Sequence, residues 1–345
     1  MAVSALLDRA ISPPRSRPPR PAPSTVPRLS VVIVNYRQWE NTARLVGQLL
    51  ATAPARRGAT EVVVVDNHSP PHRVLSQLRR RSGVSLRRWG RNRGFARAVN
   101  EGCRLSRGDW FLLLNPDVTV PEGFLEGALA VADELTAGEP RAGIVGFQLR
   151  NFDGSRQLSS GPFPTLAGTL AGLALPRSRR KYQIVRGRQR CQVPWVTGCC
   201  LLIRRECLRD LGGLDRSFFL YYEDVDLCRR ARDRGWSVWY EPRLRVVHSD
   251  PLHGRSVTPL LRLITRHSLL TYAARYWPAW QLRMLAGVVR LEAWGRRLWA
   301  WCRGQRREAE MFRELGSLAV EIANGQQRQA QQRLACILRA EESQP

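Results

Sequence analysis

The chain has 345 residues, enough for one large domain with appendages or for two domains, and enough to bury a substantial core. It carries 55 basic and 29 acidic residues, for a net charge of +26, and Lys181 is its sole lysine. This basic excess favours polyanionic partners such as anionic lipid head groups, nucleic acid or phosphorylated small molecules, with an ordinary solvated surface as the plain alternative. No stretch offers about 18 uninterrupted apolar residues, which argues against a membrane-spanning helix.

The ends of the chain and its cysteines bear on where the protein works. Residues 1–28 are rich in Pro and Arg, lack the apolar core of a secretory signal, and are predicted to form a disordered basic tail. The eight cysteines show no paired short spacing with histidines, so we expect reduced, mostly buried thiols rather than a disulfide framework or a zinc site. These features predict a cytoplasmic protein, or one held at a membrane face.

From Leu29 onward, short β-branched runs alternate with helical patterns. The predicted strands are "LSVVIVNY", "EVVVVDNHS", the weaker "VSLRRWGRN" and "DWFLLLNPDV", separated by the helical "ENTARLVGQLLATA" and "GFARAVNEGCRLS". Near-continuous apolar strands that alternate with helices predict a mostly parallel sheet covered on both faces, an α/β nucleotide-binding architecture. Ligands collect at the carboxyl ends of such strands. The polar clusters at these ends are therefore predicted to line one crevice: Asn35-Tyr36, Asp66-Asn67, Arg91-Asn92 and Asn115-Pro116-Asp117.

The next segment predicts a loop, two strands and two helices. An irregular Pro- and Arg-rich stretch reaches about residue 190 and is predicted to lie over the crevice. "VPWVTGCCLLIRRECLRDLGGLD" then predicts a strand and a helix that stops at two glycines, and "WSVWYEP" predicts a further strand. Between them, "FFLYYEDVDLCRRARDRG" opens a helix with Glu223, Asp224 and Asp226 in its first turn, where the helix dipole favours acidic residues.

Beyond Pro259 the chain is predicted to be helical and amphipathic. Arg283, Arg290 and Arg297 recur every seven residues and share one side. Apolar residues lie roughly opposite: Leu285, Val288, Val289, Trp299 and Cys302. This pattern fits a helix packed on the main domain as well as a helix on a membrane surface.

Three side chains at strand ends could carry chemistry. Asp117 could bind Mg²⁺ or Mn²⁺ and bridge it to a diphosphate, although "NPD" is also an ordinary turn sequence. Asp66 could accept a hydrogen bond from a nucleotide base or could cap the next helix. His248 could be a neutral imidazole ligand, but it could also be structural, and His253 lies nearby.

Six motifs in order give a more specific indication: "LSVVIVNYRQWENTARLVGQLL", "EVVVVDNHS", "GRNRGFARAVNEG", "FLLLNPDV", "VTGCCLLIRRECLRDLGGLDRSFFLYYEDVDLCRRARDRGW" and "VVHSDPLHGRS". Together they resemble the family 2 glycosyltransferases of GT-A fold, and within them the bacterial rhamnosyltransferase-like branch. The resemblance covers about residues 29 to 255. It implies a GT-A glycosyltransferase domain over 29–258, followed by a helical extension over 259–345.

The resemblance also implies roles for individual residues. Asp66 would contact the nucleotide base beside Val34 and Tyr36, and Asn92 and Gly94 would border the donor pocket. The usual acidic "DxD" pair is here Asn115-Pro116-Asp117, so Asp117 would be the metal-binding aspartate, with His248 as a second ligand.

In this family the second acidic residue of the "ED" pair is the catalytic base. Asp224 would therefore deprotonate the acceptor hydroxyl, which attacks the anomeric carbon opposite the leaving nucleotide diphosphate and inverts its configuration. Glu223 and Tyr222 would contact the acceptor, and neighbouring arginines could be held by Glu223 or Asp226. The aromatic run before them suits stacking on a sugar, with core packing as the alternative.

The resemblance therefore implies an inverting, Mg²⁺- or Mn²⁺-dependent transferase for cell-surface polysaccharide synthesis. Its donor would be a dTDP- or UDP-sugar, with L-rhamnose from dTDP-rhamnose as a candidate, and its acceptor a glycan or lipid-linked saccharide. We expect it on the anionic inner face of a bacterial cell membrane, and we expect no nucleic-acid partner. The competing hypotheses are a basic nucleic-acid-binding protein, for which no recognisable motif is present, and a non-catalytic sugar-nucleotide binder.

Overall fold

The computed structural model describes residues 26–172, 175, 182–185, 187–249 and 256–342. The predicted tail up to residue 25, His253, and residues 173–174, 176–181 and 186 of the predicted loop over the crevice lie outside these ranges. The first half of the chain forms β1 (Leu29–Asn35), α1 (Trp39–Leu50), α2 (Ala53–Arg56), β2 (Thr60–Asp66), α3 (Val74–Arg80), β3 (Val84–Arg88), α4 (Phe95–Leu105), β4 (Trp110–Leu114), β5 (Val118–Thr119), α5 (Phe124–Gly138) and β6 (Ala142–Arg150).

The remaining elements complete the sheet and then form a helical region. They are β7 (Arg156–Gln157), β8 (Ser160–Gly161), α6 (Leu166–Ala171), β9 (Cys191–Gln192), β10 (Trp195–Val196), β11 (Cys200–Arg204), α7 (Arg205–Asp210), α8 (Glu223–Asp233), β12 (Ser237–His248), α9 (Pro259–Tyr276), α10 (Ala279–Cys302), α11 (Arg306–Ala323) and α12 (Gln327–Glu342).

The first four long strands form a parallel half-sheet, as their apolar runs predict. Every residue of β1 and β2 is buried, and β2 and β4 flank β1 in parallel with β3 at the edge. In this register Asn35 lies opposite Asp66. The carboxyl ends of neighbouring strands therefore meet at one edge of the sheet.

The second half of the sheet is mixed. β11 runs antiparallel between β4 and β6, and β12 runs parallel to β6, which gives the order β3-β2-β1-β4-β11-β6-β12-β5. β12 changes register between Glu241 and Arg245 and ends at His248, which pairs with Val118 of β5. That pairing brings His248 beside the residue that follows Asp117.

Helices cover both faces of the sheet and seal two apolar cores. One core packs α1, α3 and α5 against the sheet, and the other packs α4, α7 and α8. The predicted α/β fold class with a helical extension is confirmed, and its central sheet joins the parallel half to the mixed half.

Helices α9 to α12 pack around a third core. Phe219 and Tyr222, from the segment before α8, pack against this core. The division of the chain at residue 258 stays a prediction, because the two parts share this apolar contact.

Two other features of the chain bear on the sequence predictions. Among the described helices, none is both long and apolar enough to cross a membrane.

Six of the eight free cysteines are buried or half-buried, while Cys302 and Cys336 are exposed. Burial raises the pKa of Cys103 to about 12, so that thiol is neutral.

Candidate functional site

A crevice of about 670 Å³ opens where the strands β1 and β4 end and α8 begins. Most of the predicted site residues line it: Val34, Tyr36, Asn92, Asn115, Asp117, Glu223, Asp224 and His248. They come from five separate segments of the chain, so the fold brings together the strand ends that the sequence singled out.

The Asn115-Pro116-Asp117 segment is a tight turn that buries a carboxylate. The Asn115 amide donates to the Cys199 carbonyl (2.9 Å), and the Val118 amide donates to the Asn115 carbonyl (3.1 Å). Asp117 is 3% exposed, and its Oδ2 lies 3.5 Å from Nε2 of His248. The turn interpretation and the metal-site interpretation are therefore compatible, because the turn holds the carboxylate against the imidazole.

The tautomer of His248 follows from its other ring nitrogen. Nδ1 of His248 lies 3.1 Å from Oε1 of Gln157, and an amide oxygen can only accept a hydrogen bond. Nδ1 therefore carries a proton, and in the neutral imidazole Nε2 presents its lone pair toward the carboxylate of Asp117. Nε2 is buried and has no hydrogen-bond partner within the described residues. Two acceptor atoms 3.5 Å apart fit a cation that both could bind, so these residues fit Mg²⁺ or Mn²⁺.

Asp224 is held by backbone amides at the start of α8. Its Oδ2 accepts a hydrogen bond from the amide of Gly198 (2.9 Å), and its Oδ1 accepts one from the amide of Val225 (2.8 Å). The side chain is 9% exposed and lines the crevice. The carboxylate is fixed in orientation while it still reaches the open space.

The backbone before α8 is unusual. Tyr221 and Tyr222 both have left-handed backbone angles, with φ of 70° and 68°. Each such non-glycine residue costs on the order of 1–3 kcal/mol and persists only where the surroundings enforce it. The strained pair turns the chain sharply into α8 and places Tyr221, Glu223 and Asp224 in the crevice wall.

The third carboxylate of this cluster has a different role. Asp226 is fully buried; its Oδ2 accepts from Nε of Arg230 (2.7 Å), and its Oδ1 accepts from Nη1 of Arg275 (2.7 Å) and the hydroxyl of Tyr276 (2.8 Å). Burial alone would lower the pKa of Arg275, but Asp226 and Asp215 raise it above its usual value. Asp226 thus joins α8 to the end of α9 through bonded arginines, one of the roles expected for it.

Gly94 and Asn92 position neighbouring segments. The amide nitrogen of Phe95 donates to the Phe219 carbonyl (2.7 Å), and a Cβ on Gly94 would lie only 2.8 Å from that oxygen. With φ of +87°, residue 94 requires glycine. Asn92 accepts from the side-chain amide of Asn67 (2.7 Å) and from the Gly94 amide (3.0 Å).

Three predicted site residues lie outside the crevice lining. Asp66 is fully buried, and its oxygens accept from Nδ2 of Asn35 (2.9 Å) and Nε of Arg88 (2.8 Å). Gly94 supports the segment before α8, and Tyr222 packs its ring 5.7 Å from that of Tyr272. Their roles toward the donor and acceptor stay predictions.

Sequence reasoning missed several crevice residues. Gln157 and Gly198 come from segments with little periodic signal, and only their contacts with His248 and Asp224 single them out. Helices α9 and α12 also contribute apolar side chains to the lining, namely Leu260, Leu261, Ile264 and Leu338. No pattern in the sequence connects these distant helices to the sheet.

Comparison with solved structures identifies the fold class. The chain matches the crystal structure of GalNAc-T7 with UDP, GalNAc and Mn²⁺ at a TM-score of 0.51 and 18% identity. The match covers 73% of this chain and 51% of that one. At this identity the likeness concerns the fold alone, which is the GT-A fold.

Comparison of sequences then identifies the family. A family model described as "Glycosyltransferase like family 2" matches residues 27–268, so the chain belongs to this family and is a glycosyltransferase. It is 30% identical over 257 residues to the N-acetylglucosaminyl-diphospho-decaprenol L-rhamnosyltransferase of Mycobacterium tuberculosis, covering 69% of this chain and 81% of that one. It is 27% identical to the low-salt glycan biosynthesis hexosyltransferase Agl10 of Haloferax volcanii, covering 65% of this chain and 68% of that one. The rhamnosyltransferase-like resemblance is confirmed.

Proposed function

We propose that this glycosyltransferase moves a sugar, with L-rhamnose from dTDP-rhamnose as the first candidate, from a nucleotide diphosphate to a lipid-linked saccharide, with inversion at the anomeric carbon. One observation supports this proposal most directly. Asp224, fixed by two backbone amides, lines the same crevice as the pair of Asp117 and His248. A base and a candidate cation site in one crevice are what a single displacement from a nucleotide diphosphate requires.

Asp224 would act as the general base. A hydroxyl becomes an effective nucleophile when its proton is removed as the new bond forms. The amides of Gly198 and Val225 occupy one direction on each carboxylate oxygen, which orients the remaining lone pairs toward the acceptor. The proton moves to Asp224 while the oxygen forms the bond to the anomeric carbon and the bond to the diphosphate breaks.

Asp117 and His248 would hold the divalent cation, Mg²⁺ or Mn²⁺. When bound, the cation would neutralise charge that develops on the departing diphosphate. Gln157 would keep Nε2 of His248 free to bind it, since Nδ1 carries the proton. With a single carboxylate in this set, part of the cation's affinity would come from the donor's own phosphates.

The donor would occupy the end of the crevice formed by the first strands. Val34, Tyr36, Asn92 and Asn115 line this region. Asp66 would influence the bound donor indirectly, through its hydrogen-bond partners Asn35 and Arg88, or would contact the base directly after a local rearrangement. The base would be thymine or uracil.

The acceptor would enter beside α8, α9 and α12. Glu223 and Tyr221 line this side, with Tyr222 behind them, and the apolar wall of Leu260, Leu261, Ile264 and Leu338 suits a hydrocarbon chain next to a saccharide. The Mycobacterium tuberculosis relative is named for a lipid-linked sugar acceptor. We therefore infer a membrane-resident acceptor, a role in cell-surface polysaccharide synthesis, and a site of action on the anionic inner face of the cell membrane, with no nucleic-acid partner.

The base assignment is tested with Asp224→Asn. We expect transfer to fall by about 10³-fold, the contribution of a positioned general base. Because the amide keeps the shape of the side chain, nucleotide-dependent stabilisation in a thermal melt should persist. Asp233→Asn, an exposed change in the same helix, is the matched control and should leave turnover unchanged. Undiminished transfer by Asp224→Asn, or a product of retained configuration by NMR, would contradict the proposal.

The donor class is tested with a thermal-shift panel of dTDP, UDP and GDP, each with and without Mn²⁺. A ligand that binds the native state raises its melting temperature. Mn²⁺-dependent stabilisation by dTDP above the others would support the donor assignment. If none of the nucleotides shifted the melt, the donor proposal would be wrong.

A further inference from the structure

Helix α10 is apolar on two opposite sides. Its inner side packs into the third core through Leu282, Leu285, Ala286, Val289 and Ala293, all of them buried. At 100° per residue these positions fall within one arc of the helix. An ordinary surface helix would be polar on the side opposite that arc.

The outer side of α10 carries large apolar residues instead. Six of them, each between 47% and 69% exposed, are Trp280, Met284, Leu291, Trp294, Leu298 and Trp301. Their spacing of three, four and seven residues places them in one stripe about 100° wide, centred opposite the buried arc. We refer to these six residues as the outer stripe. Single exposed apolar residues are common on proteins, but a continuous stripe of this length indicates a surface that something covers.

Positive charge borders the outer stripe. Arg283, Arg290 and Arg297 are all exposed along one edge, and no carboxylate in the described part of the chain forms an ion pair with them. The sole acidic residue of α10 is Glu292, which is already bonded to Arg262 and Arg266. The edge is therefore free to face negative charge.

We propose that the outer stripe of α10 docks flat on an anionic lipid bilayer. Tryptophan has an apolar ring and a polar N–H group, which suits the boundary between head groups and acyl chains. The arginines beside the stripe complement anionic head groups. A helix of 24 residues with charges along its length lies on the bilayer rather than crossing it.

A second copy of the chain fits the outer stripe less well. Two facing copies of α10 would bring their arginines together, and neither helix has a free carboxylate to receive them. Like charges placed together across an interface weaken it. An anionic bilayer supplies the complementary charge that a second copy lacks.

This docking proposal rests on the proposed function, because docking on a bilayer would serve an enzyme whose acceptor resides in the membrane. The acceptor-side wall of the crevice belongs to α9 and α12, which share a helical core with α10. Vesicle binding needs neither donor nor acceptor. The docking proposal and the proposed activity can therefore fail separately.

The test is cosedimentation of the full chain with vesicles at low salt, using phosphatidylcholine alone and phosphatidylcholine with 30 mol % phosphatidylglycerol. We expect wild type to bind the anionic vesicles. The double variant Leu291→Glu/Trp294→Glu should lower the partition coefficient at least 10-fold. The triple variant Arg283→Gln/Arg290→Gln/Arg297→Gln should lower it on the order of 100-fold, with most of the loss on the anionic vesicles.

Matched controls separate α10 from the rest of this basic chain. Phe152→Glu changes an 88% exposed apolar residue elsewhere, and Arg79→Gln/Arg80→Gln/Arg81→Gln removes the same charge from exposed positions at the end of α3. Both should bind vesicles as wild type does. Equal binding by the α10 variants and wild type, or no binding by wild type, would overturn the proposal. So would a concentration-dependent dimer by light scattering that the Leu291→Glu/Trp294→Glu variant abolishes.

Discussion

The sheet domain and the helical extension treat their apolar residues differently. In the sheet domain the apolar runs of β1, β2 and β4 are buried, and the polar residues that end the strands converge on one crevice. In the extension α10 buries one apolar side and exposes another. The first arrangement builds a reaction site, and the second provides a surface. The two regions still meet at the crevice, because Leu260, Leu261, Ile264 and Leu338 of the extension form part of its wall.

The largest expected effect concerns the crevice. Asp117→Asn removes the sole carboxylate of the proposed cation site while it keeps the turn. We expect turnover to fall by about 10²–10³-fold, because metal stabilisation of developing charge contributes several kcal/mol. A transfer assay across an Mn²⁺ titration measures this, and part of the loss should be recovered at high Mn²⁺. Turnover equal to wild type at every Mn²⁺ concentration would contradict the site.

The second prediction concerns the connection between the two regions. Asp226→Asn leaves Arg230 and Arg275 without the buried charge that both contact. We expect the free energy of unfolding to fall by about 3 kcal/mol, near the low end for a broken buried pair because both arginines retain some contact with water.

The matched control for this change is Asp233→Asn. It breaks only the exposed pair with Arg229 and should cost less than 1 kcal/mol. Urea unfolding compares the two variants. Equal losses would show that the buried network does not join the regions as described.

The third prediction concerns the backbone contact behind the crevice. Gly94→Ala places a Cβ against the Phe219 carbonyl in a conformation that favours glycine. We expect a loss of about 2 kcal/mol in stability and a lower turnover, because Phe219 leads into the segment that holds Asp224. Gly47→Ala in α1, where a Cβ would meet nothing within 4 Å, is the control and should not destabilise the protein.

The smallest effect concerns pH and the extension. Burial lowers the pKa of His267 in α9 to about 4, below the ordinary value of 6.5. Between these values the unfolded chain binds a proton that the native protein does not, so stability falls as the pH decreases through this window. The contribution lost between pH 7.5 and pH 5 is about 2 kcal/mol. His267→Leu should lose correspondingly less stability over this range in thermal melts, and parallel curves for the two proteins would contradict the assignment.

The sequence predicted the crevice well because its signals are local. Apolar runs that end in Asn35 or Asp117 are strands followed by turns, and parallel strands bring such ends together. Gln157 lies in a two-residue strand, and Gly198 lies in a short turn. Their positions depend on tertiary packing, so their contacts with His248 and Asp224 could not be predicted.

Helix α10 presents the opposite difficulty. The heptad of arginines predicted an apolar side that includes Val288, Trp299 and Cys302, yet these three are exposed while Leu285 and Val289 are buried. Because the helix is apolar on two sides, the predicted side lies between the buried arc and the outer stripe. A periodic pattern indicates one direction only when the opposite side is polar.

The strand pairing of His248 with Val118 makes the candidate cation site a reporter of sheet assembly. Since side chains alternate between the two faces of a strand, a slip of one residue in this pairing would turn the imidazole away from Asp117. Binding of Mn²⁺ during refolding would therefore mark the moment at which the last long strand reaches its native register. The ion proposed to support transfer would then also serve as a probe of the order in which the sheet forms.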